Sequence, residues 1–154
     1  MTLCKTVQAA WWMVVLMAVP AVAQELKLPA RWELSPPLIS PEVRDADRAV
    51  SVKDPTVVFA EGKWHVFMTI RCEGYVPMEY VSFAKWEEAD KAPRHVLRGT
   101  AEQKYRCAPQ VFYFRPHKKW YLIHQLGVPG RKFMQISFST TATIGDPKSW
   151  TPSQ

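Results

Sequence analysis

Cysteine is scarce in these 154 residues: three in all, of which Cys4 lies in the first few positions. Long apolar runs are missing too. Ala9 to Val19 (AAWWMVVLMAV) stops after eleven residues at Pro20, whereas a membrane-spanning helix takes about 20. No cysteine follows directly on Ala21-Val22-Ala23, which argues against a lipid-anchored form. Nor is there a block of like charge. The densest basic cluster, Arg115 to Lys119 (RPHKK), falls between two apolar runs and reads as a solvated hairpin tip, so a nucleic-acid partner is not indicated. Downstream of residue 50 no helical period is sustained.

What is present begins with an export signal. Lys5 supplies a basic start, the eleven apolar residues follow, and Ala21 and Ala23 place small residues at −3 and −1 of a cleavage site before Gln24. The expectation is a secreted chain, extracellular or periplasmic, cut after Ala23 and without a stable membrane anchor; an uncleaved anchor is the competing reading. Removing 23 of the 154 residues leaves 131, one small domain. The formal charge of +6 becomes +5 when Lys5 leaves, and 47% apolar residues suffice for a core. The remaining pair, Cys72 and Cys107, suggests one disulfide in an oxidising compartment, with two buried thiols as the other possibility.

Residues 24–49 are rich in proline and charge and read as an extended lead-in. From residue 50 to 154 the pattern is β, and it is written twice. Thr56 to Phe59, a turn at Glu61-Gly62-Lys63 and Trp64 to Ile70 form a hairpin, with Tyr80 to Ala84 as a third strand. Gln110 to Phe114, a turn over Arg115 to Lys119 and Trp120 to His124 repeat it, with Met134 to Ser139 third. Pro55 and Pro109 are 54 positions apart, Trp64 and Trp120 are 56, and Trp86 and Trp150 close the two units. A period of that length, each unit an antiparallel meander, predicts all-β propeller blades after the signal. Two tandem β-sandwich hairpins are the alternative. Because propellers need at least about four blades to close, two blades imply the front of a longer, incomplete propeller that does not fold stably alone.

In such a blade the start of the first strand and the end of its hairpin partner share one rim. Lys53-Asp54-Pro55 and Ala108-Pro109-Gln110 then meet Arg71-Cys72-Glu73 and His124-Gln125 at one mouth, which also makes a Cys72–Cys107 bridge reasonable. By itself Asp-Pro is a common turn starter. Opening a first strand after Lys53, on a polar rim ringed by aromatics, Asp54 becomes a candidate for sugar chemistry. That chemistry needs one carboxylate to activate water, an acid for the leaving group, and aromatic faces for the rings. Lys53, Gln110 and Gln125 are the substrate-binding candidates on that rim. No metal-ligand set and no cofactor is indicated, with a structural calcium in a complete propeller left open.

The segments Val52-Lys53-Asp54-Pro55-Thr56-Val57-Val58 and Ala108-Pro109-Gln110-Val111-Phe112-Tyr113-Phe114 resemble glycoside hydrolase family 62. So do Phe83-Ala84-Lys85-Trp86, Trp120 through Gly127 and Ser139 to Trp150. The resemblance implies a secreted α-L-arabinofuranosidase, a five-bladed propeller related to family 43, acting on a plant-type polysaccharide such as arabinoxylan or arabinan. It implies that Asp54 is the base of an inverting mechanism and that Lys53 hydrogen-bonds the sugar. The family's general acid is a glutamate of a later blade. Where the family has an aspartate that tunes this acid, this sequence has Gln110, whose amide supplies no negative charge. A propeller that binds sugar without cleaving it is therefore the alternative function.

Overall fold

Strong β patterning and a two-residue turn set the first sheet. In the structure, a computed structural model describing residues 31–45, 48–97 and 104–154, β1 (Ala49–Ala60) pairs antiparallel with β2 (Lys63–Cys72). Between them Glu61 and Gly62 hold φ of 51° and 74°. Two consecutive positive φ values make the tight hairpin whose twist suits flanking strands, and glycine carries the second at no steric cost. β3 (Met78–Phe83) adds to β2, and β4 (His95–Leu97) adds to β3. The order β1-β2-β3-β4 is a plain antiparallel meander.

The second sheet repeats it. β5 (Arg106–Phe114) pairs with β6 (Lys119–Leu126), and β7 (Gln135–Thr141) completes the order β5-β6-β7. The polar cluster between β5 and β6 is the hairpin tip expected for it: a single 3-10 turn over Arg115–His117, closed by Lys118 at φ 50°. The chain is all-β, and its two units are the successive meanders that the repeat calls for. The leader read over residues 1–23 lies outside the described residues, as does the lead-in up to residue 30.

Period-two alternation decides where the core sits. On β2, Phe67 faces the second sheet and joins Met78, Tyr80, Leu97, Val111, Leu122 and Ile144 in an inter-sheet core. Val66, Met68, Ile70 and Cys72 point the opposite way, into a second cluster with Val81, Phe83 and Ala89. That outer layer is covered by the segment before β1, through Ile39, and by the 3-10 turn Trp86–Lys91. The lead-in is thus tied to the first sheet. Ser40 N–H donates to Asp90 Oδ1 at 2.7 Å, and Arg44 pairs with the fully buried Glu79 at 2.7 Å. The two closing tryptophans, alike in sequence, pack differently. Trp86 lies against Trp64 and Phe83 of its own sheet, while Trp150 meets Phe67 edge-on at 5.5 Å across the sheets.

Candidate active site

Asp54 does not open its strand, as the sequence suggested. β1 begins five residues earlier, and Asp54-Pro55 forms a bulge within it, between the pairs Lys53↔Thr69 and Thr56↔Phe67. A bulge inserts extra backbone on one strand and re-aims its side chains. Here the backbone at Asp54 is left-handed, at φ 51°, a conformation aspartate tolerates better than most residues. The same device recurs in β5. Ala108-Pro109 interrupts the ladder between Cys107↔Gln125 and Gln110↔Ile123, with Ala108 at φ 53°.

Two hydrogen bonds fasten these bulges to the same neighbourhood. Thr69 Oγ1 accepts the Ala108 N–H at 2.8 Å, and Thr56 Oγ1 accepts the Val111 N–H at 3.3 Å. Thr69 is fully buried, so its bond to the strained peptide is shielded from water. The bulged part of β5 is therefore fastened to β1 through Thr56 and to β2 through Thr69.

Lys53 Nζ lies 4.0 Å from Asp54 Oδ2, with both side chains about half exposed (52% and 41%). Behind them the Cys107 thiol donates to Gln125 Oε1 at 3.6 Å. Burial pushes this thiol up from its ordinary value; Lys53 pulls it down and Asp54 pushes it up again. Three of the residues expected at the mouth, Lys53, Asp54 and Cys107, are thus within electrostatic reach of one another, and Cys107 also contacts Gln125. Gln110 is exposed, opposite Ile123.

The expected disulfide is not there. Cys72 and Cys107 are buried and unbridged. The reason is the parity of β2. Cys72 belongs to the face carrying Met68 and Ile70, in the outer cluster. The side chain that reaches the start of β5 is Thr69, on the opposite face. Sharing a rim does not make two side chains share a face.

Next to Lys53 is a cleft of about 400 Å³, lined by Lys53, Arg71, Tyr75, Val76, Lys104 and Tyr105 among others. Asp54 is not part of its lining and is linked to it through Lys53, 4.0 Å away. Its wall is built by crossing strands. Val76 pairs in parallel with Tyr105, with Val76 N–H donating to Lys104 O at 2.9 Å and Arg106 N–H to Val76 O at 2.7 Å. Sequence reading named Arg71 on this rim but missed Tyr75, Lys104 and Tyr105. These are brought in by that single bridge, which has no periodic signal. Glu73 is exposed in the turn that returns the chain from Cys72 to Tyr75, where Gly74 takes φ 77°. Among the described residues no three His, Cys, Asp or Glu side chains gather as a metal site.

A bulge-held carboxylate beside a lysine, at the edge of a cleft with tyrosine walls, suits water activation on a sugar. Comparison with known proteins supplies the family. The family model described as glycosyl hydrolase family 62 matches residues 32–154, a span that takes in the Ile39–Arg44 segment pinned to the first sheet. The chain is 38% identical over 135 residues to alpha-L-arabinofuranosidase C of Cellvibrio japonicus, an alignment covering 88% of this chain and 20% of that protein. Its fold matches the catalytic domain of the Coprinopsis cinerea GH62 alpha-L-arabinofuranosidase at a TM-score of 0.69 and 36% identity, covering 80% of this chain and 37% of that one. A GH62 hydrolase solved with xylotriose matches at 0.65 and 36%, covering 77% and 34%. The chain thus spans about one fifth of the length of the curated relative.

Proposed function

The chain belongs to glycosyl hydrolase family 62, and from that premise we propose that it is part of an exported α-L-arabinofuranosidase. Its reaction would remove arabinose side chains from a plant polysaccharide, arabinoxylan or arabinan, by inverting hydrolysis. The named activity of the Cellvibrio japonicus and Coprinopsis cinerea relatives supports the reaction. The xylotriose in the solved GH62 hydrolase supports a xylan-type backbone. The two sheets would be the first two blades of a propeller, with the bulged strands β1 and β5 toward its axis.

Asp54 is the base. Its carboxylate takes a proton from water as the water attacks the anomeric carbon, and a protonated acid on the opposite side serves the leaving oxygen. In inverting enzymes the two carboxyl groups stand about 6.5–9.5 Å apart, leaving room for that water. Lys53, 4.0 Å from the carboxylate, hydrogen-bonds the sugar, and Gln110 and Gln125 line the same mouth. The observation that carries this reading is the paired bulge, which takes Asp54 out of its ladder, two residues before the Thr56 that accepts the N–H following Gln110. The test is Asp54→Asn in the full-length protein on a chromogenic arabinofuranoside. The amide keeps size and some hydrogen bonding but accepts no proton, so the rate should fall 10²- to 10⁴-fold, the usual contribution of a general base. Wild-type rates in that variant would leave Asp54 as a bulge residue only.

A second reading, sugar binding without cleavage, is favoured by one residue. Gln110 occupies the bulge-side position where a carboxylate would tune the acid, and its amide is neutral at every pH. Arabinoxylan retained by the wild-type protein with no release of arabinose is the result that selects it.

A further inference from the structure

The cleft beside Lys53 has a chemistry of its own. Three cations border it, Lys53, Arg71 and Lys104, together with the rings of Tyr75 and Tyr105. No carboxylate lines it among the described residues. The nearest carboxylates lie outside: Asp54, 4.0 Å from Lys53, and Glu73, exposed in the adjoining turn. Arg71 and Lys104 form no ion pair among the described residues. Its volume, about 400 Å³, falls in the range of sites that take a small ligand.

The wall is also pre-formed. Tyr105 is fixed by its bridge to Val76 and by the Gly127 N–H, which donates to Tyr105 O at 2.8 Å. Gly127 lies so close to the Tyr105 main chain that a Cβ there would lie 2.9 Å from Tyr105 Cβ. Backbone fixed this way lowers the ordering entropy that binding at the cleft must overcome. Half-exposed tyrosines offer apolar faces with a polar tip, suited to a pyranose. A guanidinium fork matches a carboxylate with two parallel hydrogen bonds.

We propose that this cleft seats the carboxylate of a uronic acid carried by the polysaccharide, next to the sugar on which Asp54 acts. The substrate class is thereby narrowed to an acidic, uronate-substituted chain, and the inference rests on the glycosidase reading of the adjoining site. Arg71 receives the carboxylate, Lys104 and Lys53 add charge, and Tyr75 and Tyr105 flank the ring. Because the three cations stand near solvent, binding weakens as salt shortens the screening length from about 10 Å at 0.1 M to about 3 Å at 1 M.

The experiment is calorimetric titration of the full-length protein with methyl α-D-glucuronoside and, separately, methyl α-D-glucoside, at low and high salt. It needs no turnover, so it reads the cleft whether or not the protein is hydrolytic. The glucuronoside should bind about tenfold or more tighter than the neutral sugar, the size expected for a charge-assisted hydrogen bond, and lose that margin at 1 M salt. Arg71→Gln should remove most of the preference. Lys104→Gln, at an exposed position that does not threaten the fold, should reduce it. Equal binding of the two sugars, or a preference untouched by both variants, overturns the proposal even if arabinose release is demonstrated.

Discussion

Asp54 and Ala108, 54 positions apart, hold nearly the same left-handed backbone, φ 51° and 53°, and each precedes a proline inside a bulged strand. The repeat thus extends to a strained detail of the main chain. In one copy the strained residue carries a carboxylate, and in the other it carries a methyl group. Strain kept in both copies is imposed by the meander itself, by strands that must break register where two sheets meet.

Ala108 pays for its conformation without a side chain that bonds locally. Left-handed backbone costs an L-residue roughly 1–2 kcal/mol, while glycine is unpenalised but loses more entropy on folding. Ala108→Gly should therefore stabilise the protein by about 1 kcal/mol, read as a higher Tm or a higher denaturant midpoint. A lower midpoint would mean that the chain entropy glycine loses on folding outweighs the strain it relieves.

Glu79 is fully buried on β3 between Arg44 at 2.7 Å and Arg94 at 3.2 Å, and Arg94 also reaches Asp90. This is the clasp that holds the segment before β1 and the turn after β3 to the first sheet. Removing one member of a buried ion-pair network leaves the others desolvated and uncompensated. Glu79→Ala should cost about 3–5 kcal/mol in denaturant unfolding. It should also speed proteolytic cutting near residue 44. Unchanged stability would show the clasp to be ornamental.

His124 is buried between Leu122 O at 3.2 Å and Ser153 Oγ at 3.0 Å. Burial, and then the charge of Arg106, lower its pKa to about 4. His65, which contacts Tyr80 Oη at 2.7 Å, is lowered by burial as well. Between pH 6.5 and about 4 the unfolded chain holds a proton at residue 124 that the folded chain does not. Stability therefore falls as pH drops through that window, by up to about 3 kcal/mol for His124. It is fully retained above pH 6.5. Denaturant midpoints measured from pH 7 to pH 4 should show this slope, and His124→Gln should flatten it.

Much of the fold was legible because alternation and turn chemistry are local. Glu61-Gly62 announces its hairpin, and the polar Arg115–Lys119 cluster announces the other. What escaped was set by distant partners. β4 is three residues long and exists through its pairing with β3. Asp54-Pro55 reads as a turn until its ladder with β2 makes it a bulge. The proximity of Lys53 to Asp54, and of Cys107 to Gln125, agrees with the rim that strand ends predict. The same logic misjudged Cys72 and Cys107, since a rim says nothing of which face each side chain takes. Tyr105 was missed because one parallel bridge, not a strand pattern, brings it to the cleft.

Gln110 offers the sharpest test of whether the site was built for catalysis. It follows the second bulge, and the next residue's N–H is held by Thr56, two positions from Asp54. A carboxylate at 110 would place negative charge near whatever acid serves the leaving group. Like charge disfavours ionisation, so that acid's pKa would rise and more of it would stay protonated at neutral pH. Each unit of such a shift multiplies the protonated fraction up to tenfold, about 1.4 kcal/mol. Gln110→Asp in the full-length protein should therefore raise kcat on an arabinofuranoside by about tenfold at pH 7 and move the alkaline limb of the pH profile upward. KM should rise, because the shorter carboxylate loses the amide N–H donors that would bind the sugar. The paired Gln110→Asp, Asp54→Asn variant should lose the gain, since an acid without a base does not restore turnover. If Gln110→Asp leaves both rate and profile unchanged while wild-type protein is active, residue 110 does not address the acid. Its amide then serves the sugar alone.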